Sequence, residues 1–348
     1  MWRERARGAT VDARTQALSG LDQLRAITSY PGMYHLTGTR FDSADLRRAT
    51  FSMPVTGWLL SPQGMVPGGM LAIAADGALG CAIHTALPPG STYTTAELSL
   101  TYLRRIPVGE RIVATGHALH VGRTLAFSNC DITDGAGVLL AHATSRCLVF
   151  EPSAGTVAGS GTATPPPLST AGDVNDDDAD PFERPPAGVV IDQATWDRCS
   201  GLEVLRAQVD GSLPQPPLHH LLGILAIDVD EGRAECVMPV TGWLATPWGW
   251  PQGGFLATLA DIAIGMAVQT TVPAASTYAN VDLKVNYLRP LTASGTLVHA
   301  RAKVEHRGRS LAVASAEVTD ASGRRLALAT GSAQILASRP AASGDQQA

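Results

Sequence analysis

Two aspartates stand inside apolar runs, and each follows a pair of glycines at the same distance. The first run reads Pro67-Gly68-Gly69-Met70-Leu71-Ala72-Ile73-Ala74-Ala75-Asp76, and the second Gln252-Gly253-Gly254-Phe255-Leu256-Ala257-Thr258-Leu259-Ala260-Asp261. A carboxyl group among Ala, Leu and Ile is desolvated, which raises its pKa toward the range of a general base. Glycines at a helix start let a ligand approach the backbone, where the first N–H groups are unpaired and carry the positive end of the helix dipole. Such amides suit a carbonyl that becomes an oxyanion under attack. The pattern thus supplies two halves of a hydrolytic site: amides at Gly68 or Gly253, and a base or nucleophile at Asp76 or Asp261. The halves cannot come from one helix. Gly68 and Asp76 are eight residues apart, roughly 12 Å along a helix axis, so one carbonyl cannot touch both.

The elements that must position these groups come in duplicate. Pro54-Val55-Thr56-Gly57-Trp58 recurs 185 positions later as Pro239-Val240-Thr241-Gly242-Trp243. The same offset relates Ser91-Thr92-Tyr93 to Ser276-Thr277-Tyr278, and Tyr102-Leu103-Arg104 to Tyr287-Leu288-Arg289. After one inserted residue, Gly122-Arg123 pairs with Gly308-Arg309 and Thr133-Asp134 with Thr319-Asp320. A register held this far is a tandem duplication. Upstream, Ser19-Gly20-Leu21 recurs as Ser200-Gly201-Leu202, so each copy is expected to open with a helix. The expected domains are 1–150 and 189–338. Residues 151–188, rich in Gly, Ser, Thr, Ala and Pro and holding Asp176-Asp177-Asp178, are expected to form a disordered linker, and 339–348 a disordered tail.

Within each copy the pattern predicts a helix, a strand up to the Pro-Val-Thr-Gly-Trp turn, and a helix buried on nearly every side over 70–87 or 255–272. Strands over 92–102, 110–120, 124–133 and 138–150 follow as an antiparallel meander, separated by Gly-Arg and Asp-Gly turns. A long apolar helix must be wrapped by a curved sheet to be covered. The fold class is α+β.

The Gly-Gly-x6-Asp segment resembles the helix-start motif of PaaI-like hotdog thioesterases, where it usually reads His-Gly-Gly-x6-Asp or Glu. The Tyr-Leu-Arg strand end and the Gly-Arg turn are similar to that family as well. The resemblance spans both copies, residues 30–150 and 215–337. It implies two hotdog domains in tandem, each a curved antiparallel sheet around a central helix, paired about a two-fold axis as an intrachain pseudo-dimer. It also implies hydrolysis of an acyl-CoA or acyl-carrier thioester, with no cofactor beyond the coenzyme A of the substrate. One composite site would join Asp76 with Gln252 and the Gly253 N–H; the other would join Asp261 with Pro67 and the Gly68 N–H. The family's histidine is replaced by Gln252 and by Pro67. Gln252 can still hydrogen-bond and Pro67 cannot, so the Asp76 site is expected to be the competent one and the Asp261 site impaired or ligand-binding only. Six residues earlier, where many relatives carry Asn or Gln, stand Thr246 and Ser61.

Further residues invite a role in substrate binding. Trp248 and Trp250 can line an acyl pocket or pack on a neighbouring helix, and Arg123 and Arg309 can meet phosphates or stay solvated. His219-His220 has no carboxylate or cysteine at ligand spacing, so no metal is expected. The five cysteines are odd in number and form no CxxC pair, which argues against a disulfide framework and fits a reducing, cytoplasmic setting. Hydrophobic residues make up 45% and charged residues 16%, with a net charge of −5. That composition is globular and offers no basic face to nucleic acid. Asp76 and His84 interrupt the longest apolar run, so no membrane span is expected, and Met1-Trp2-Arg3-Glu4-Arg5 leads into no apolar leader segment. No Gly-x-Ser-x-Gly elbow or phosphate-loop motif occurs. A non-catalytic acyl-CoA-binding protein is the alternative reading. A hotdog hydratase is disfavoured, because Cys81 and Met266 stand where its Asp-x4-His dyad needs histidine. Pairing of two such chains into a homodimer is left open.

Overall fold

The computed structural model describes residues 19–27, 32–150, 180–291 and 295–336. Repeat 1 comprises helices α1 (Gly20–Arg25) and α2 (Gly32–Thr37), strands β1 (Arg40–Asp45) and β2 (Arg48–Pro54), the long helix α3 (Leu71–His84), and strands β3 (Thr92–Tyr102), β4 (Arg111–Val121), β5 (Leu125–Thr133) and β6 (Leu139–Phe150). Repeat 2 follows the same plan after an added helix α4 (Gln193–Arg198). It runs through α5 (Gly201–Val209), α6 (Pro217–Leu222), β7 (Leu225–Asp230), β8 (Arg233–Pro239), α7 (Gly253–Gln269), β9 (Thr277–Tyr287), β10 (Leu297–Arg307), β11 (Leu311–Asp320) and β12 (Arg325–Leu336). Ser200 caps α5 through a reciprocal capping box with Glu203, which explains why a Ser-Gly pair opens that helix.

α3 and α7 are almost wholly buried, as their Ala, Leu, Ile and Met content requires. Among the described residues the strands form one 12-stranded antiparallel sheet, ordered β1-β2-β4-β5-β6-β3-β9-β12-β11-β10-β8-β7. Each half wraps its own long helix, with alternate strand residues such as Ile112 and Ala114 turned into the core. The two halves join where β3 pairs with β9. There Ser99 lies opposite Lys284, its own counterpart 185 residues on. The pseudo-two-fold axis therefore passes through that pair. The buried side chains of Leu98, Leu100, Leu283 and Val285 flank it. This is the tandem hotdog architecture, closed within one chain.

Where the sequence predicts one strand before each Pro-Val-Thr-Gly-Trp turn, the chain forms a hairpin, β1–β2 or β7–β8, and the structure differs from the sequence expectation in three further ways. First, the strands after α3 are not a simple meander. β3 pairs with β6 and β9, and β4 pairs with β2, because β3 must lie at the two-fold seam. Second, each repeat has a second short helix (α2, α6), and this helix packs on the opposite repeat: the Met33 N–H faces the Ala245 carbonyl at 3.5 Å, and the Leu218 N–H donates to the Leu60 carbonyl at 3.1 Å. Third, residues 180–188 of the expected linker are ordered against repeat 1. His35 Nδ1 meets Asp180 Oδ1 at 2.8 Å, and the Trp58 indole donates to the Arg184 carbonyl at 2.7 Å. Fixed proline φ values and the Phe182 ring lower the cost of ordering this segment. Residues 151–179 and the expected tail lie outside the described residues.

Candidate active site

The first turns of α3 and α7 pack antiparallel, and glycine makes the contact possible. A Cβ on Gly254 would lie 2.6 Å from the Ala72 carbonyl oxygen and 2.8 Å from Ile73 Cα. At this separation the start of each helix reaches the middle of the other. The Gly254 N–H donates to Asp76 Oδ2 at 3.1 Å, and the Gly69 N–H donates to Asp261 Oδ2 at 2.8 Å. Carboxylate and helix-start amide thus belong to opposite repeats at both places. The bonded N–H in each case is that of the second glycine, one residue beyond the one expected; the Gly253 N–H makes only a weaker contribution at Asp76.

Both carboxyls are perturbed. Burial pushes Asp76 up to about 6, opposed by the Gly254 amide, the Thr95 hydroxyl and the Gly253 amide. Burial does the same to Asp261, also to about 6, opposed by Gly69, Asn280 and Tyr102 and reinforced by repulsion from Asp282. The donor sets differ. Among the described residues Asp76 Oδ1 receives the Thr95 hydroxyl alone, at 3.2 Å. Asp261 Oδ1 receives the Asn280 amide at 2.9 Å and the Tyr102 hydroxyl at 3.3 Å. Tyr287, the counterpart of Tyr102, donates instead to the Gly253 carbonyl at 2.8 Å. Asp76 is 9% exposed and Asp261 1%, so water reaches the first more readily.

Gln252, at the N-cap of α7, reaches the helix that carries Asp76. Its Nε2 donates to the Ile73 carbonyl at 2.8 Å, while its buried Oε1 has no hydrogen-bond partner among the described residues. The unsatisfied group is therefore an acceptor, suited to a water O–H rather than to a carbonyl oxygen. Pro67, its counterpart, is the N-cap of the 3-10 turn Gly68–Met70 and supplies no side-chain bond. The buried Ser61 hydroxyl has no partner among the described residues. Thr246 holds a turn through its backbone, its N–H donating to the Trp250 carbonyl at 2.8 Å. Trp248 packs edge-on against His84 with centroids 5.4 Å apart, the helix-packing alternative of the sequence reading, while Trp250 is 43% exposed. Arg123 and Arg309 are exposed on the hairpin turns after β4 and β10.

Thr95, Asn280, Tyr102 and Tyr287 escaped the sequence reading. The two tyrosines were visible in the repeated Tyr-Leu-Arg, but nothing local says that their hydroxyls reach a helix end. Among the described residues no group of three His, Cys, Asp or Glu side chains could hold a metal, and no helix is long and apolar enough to cross a membrane.

Comparison with known proteins agrees with the tandem fold. The family model described as the thioesterase superfamily matches twice, over residues 63–141 and 253–327. The acyl-coenzyme A thioesterase PaaI of Escherichia coli is 34% identical over 110 residues, 32% of this chain and 76% of that protein. A solved acyl-CoA thioesterase II, TesB2, from Mycobacterium marinum superposes with a TM-score of 0.52 at 12% identity, covering 90% of this chain and 99% of its own. A hot dog fold protein of unknown function from Alicyclobacillus acidocaldarius gives 0.53 at 14% identity, over 89% and 98%. At these identities the two structures speak to the fold alone.

Proposed function

The chain belongs to the thioesterase superfamily, and from that premise we propose that it hydrolyses acyl-CoA or acyl-carrier thioesters to free acid and thiol at the composite site around Asp76. One observation carries this reading: a buried carboxylate of one repeat faces the helix-start amides of the other. A thioester carbonyl laid against the start of α7 takes the Gly253 N–H as its oxyanion donor. Water held by Gln252 Oε1 attacks the carbonyl carbon and gives its proton to Asp76. The tetrahedral oxyanion then collapses, the C–S bond breaks, and the thiolate takes the proton back from Asp76.

The alternative centre at Asp261 is less suited to this work. Three donors occupy its carboxylate, its exposure is lower, and Pro67 offers no side-chain hydrogen bond where Gln252 does. The reading is tested by thiol release from short-, medium- and long-chain and aromatic acyl-CoA thioesters. A general base contributes ~10²–10⁴-fold, so Asp76→Asn is expected to lose at least about a hundredfold in kcat, while Asp261→Asn keeps most activity. Absence of turnover across that panel, with acyl-CoA raising the melting temperature by mass action, would make this a binding protein instead.

A further inference from the structure

Tyr287 closes β9 with its ring against the start of α7. A Cβ on Gly253 would lie 3.3 Å from Tyr287 Cζ and 3.3 Å from Asp76 Oδ2. The Tyr287 hydroxyl donates to the Gly253 carbonyl at 2.8 Å. That carbonyl and the Gly254 N–H are the two ends of one peptide group. The Gly254 N–H in turn donates to Asp76 Oδ2. A donor placed on a peptide oxygen polarises the whole group and strengthens its N–H as a donor, because hydrogen bonds in series reinforce one another. In the other repeat the chain of bonds is broken: Tyr102 donates to Asp261 directly.

We propose that Tyr287 is a positioning residue that acts through the Gly253–Gly254 peptide to hold Asp76 as a carboxylate, and so sets the lower pH limit at which this site works. The inference rests on the thioesterase reading for its kinetic consequence, but not for its effect on Asp76 itself. The titratable groups facing Asp76 do not compete with it. On its own helix burial pushes the Cys81 thiol up to about 12, and on β6 the Cys147 thiol up to about 12. Tyr93 on β3 and Tyr287 on β9 are pushed well above the usual phenol range, again by burial. α7 presents backbone amides to it. Asp76 is therefore the group of this set that changes charge near neutrality.

The test is Tyr287→Phe, which removes the hydroxyl and keeps the ring. Two readouts are taken: the pH profile of kcat/KM on an acyl-CoA that the native protein turns over, and the titration of Asp76 followed by carbon NMR of labelled aspartate, assigned against Asp76→Asn. Losing the polarising bond weakens the hold on the carboxylate, so its pKa rises. The Asp76 midpoint and the acid limb are both expected to move up by roughly half a pH unit, which lowers kcat/KM about threefold below the limb and leaves the plateau nearly unchanged. Tyr102→Phe should move Asp261 and leave Asp76 in place. An unmoved Asp76 midpoint in a folded Tyr287→Phe protein overturns the proposal. A midpoint that moves without the acid limb upholds the hold of Tyr287 on Asp76, overturns its control of the lower pH limit and sinks Asp76 as the base. Should Tyr287→Phe fail to fold, a ring-fluorinated tyrosine at 287, a stronger donor, must move the midpoint down.

Discussion

Asp76 and Asp261 share a sequence neighbourhood, yet their surroundings give them different work. Both start from the same penalty: a carboxylate taken out of water, with a pKa raised from 3.8 to about 6. Between about pH 4 and pH 6 the folded chain holds protons that the unfolded chain has released, so stability falls as pH rises through that window. Two pH units correspond to about 3 kcal/mol for each carboxylate. Asp76→Asn removes one such cost. We expect it to melt about 2–4 °C higher than the native protein at pH 7.5, and to show a flatter decline between pH 4 and 6, while losing turnover. A lower melting temperature would mean that the donors around Asp76 outweigh its desolvation. The same pKa places the acid limb of activity near pH 6: activity of the carboxylate form falls as pH drops through that value, and a kcat/KM profile with no fall between pH 8 and 5 would exclude Asp76 as the base.

At the scale of elements, the site depends on how closely two helices approach. The two glycines at the start of α7 have separate duties. Gly254 permits the contact, since its Cβ would strike the α3 backbone at 2.6 Å; Gly253 faces the chemistry, with its nearest neighbours at 3.3 Å. Gly254→Ala must therefore push the helices apart, at a cost of about 1–3 kcal/mol, seen as a lower melting temperature with reduced turnover. Gly253→Ala is expected to keep the melting temperature within about 2 °C and to lose activity. Equal melting temperatures for the two variants would contradict this division. The glycine pair could be recognised from sequence, but which glycine does which could not, because that depends on the partner helix lying antiparallel across it.

Viewed whole, the molecule is a pseudo-dimer that a single chain makes obligatory. β3 and β9 pair through the two-fold, α2 and α6 reach across it, and the buried Leu98, Leu100, Leu283 and Val285 each contribute about 1.5–3 kcal/mol. A protease site inserted between residues 160 and 170 should therefore yield, after cleavage, two fragments that stay together through gel filtration and keep turnover within about twofold. Each fragment expressed alone should release no thiol, because each carboxylate needs the other repeat's amides. Fragments that separate, or one that works alone, would refute the composite site.

The sequence by itself determined the duplication, the buried helices, the boundaries of the four strands β3–β6 to within a residue or two, and the rule that amide and carboxylate come from different helices. These follow from local facts: a repeated register, apolar periodicity, and the rise of a helix. Only the tertiary structure decided that Gly254 and Gly69 carry the bonds, that Gln252 donates to the Ile73 carbonyl and keeps a buried acceptor, and that Tyr287 addresses a peptide while Tyr102 addresses a carboxylate. The Tyr287 bond joins β9 to α7 within one repeat, 34 positions apart; the others are set by the crossing of α3 over α7 and the seam of β3 with β9. That relation lies between residues 150 or more positions apart, which no spacing along the chain can encode.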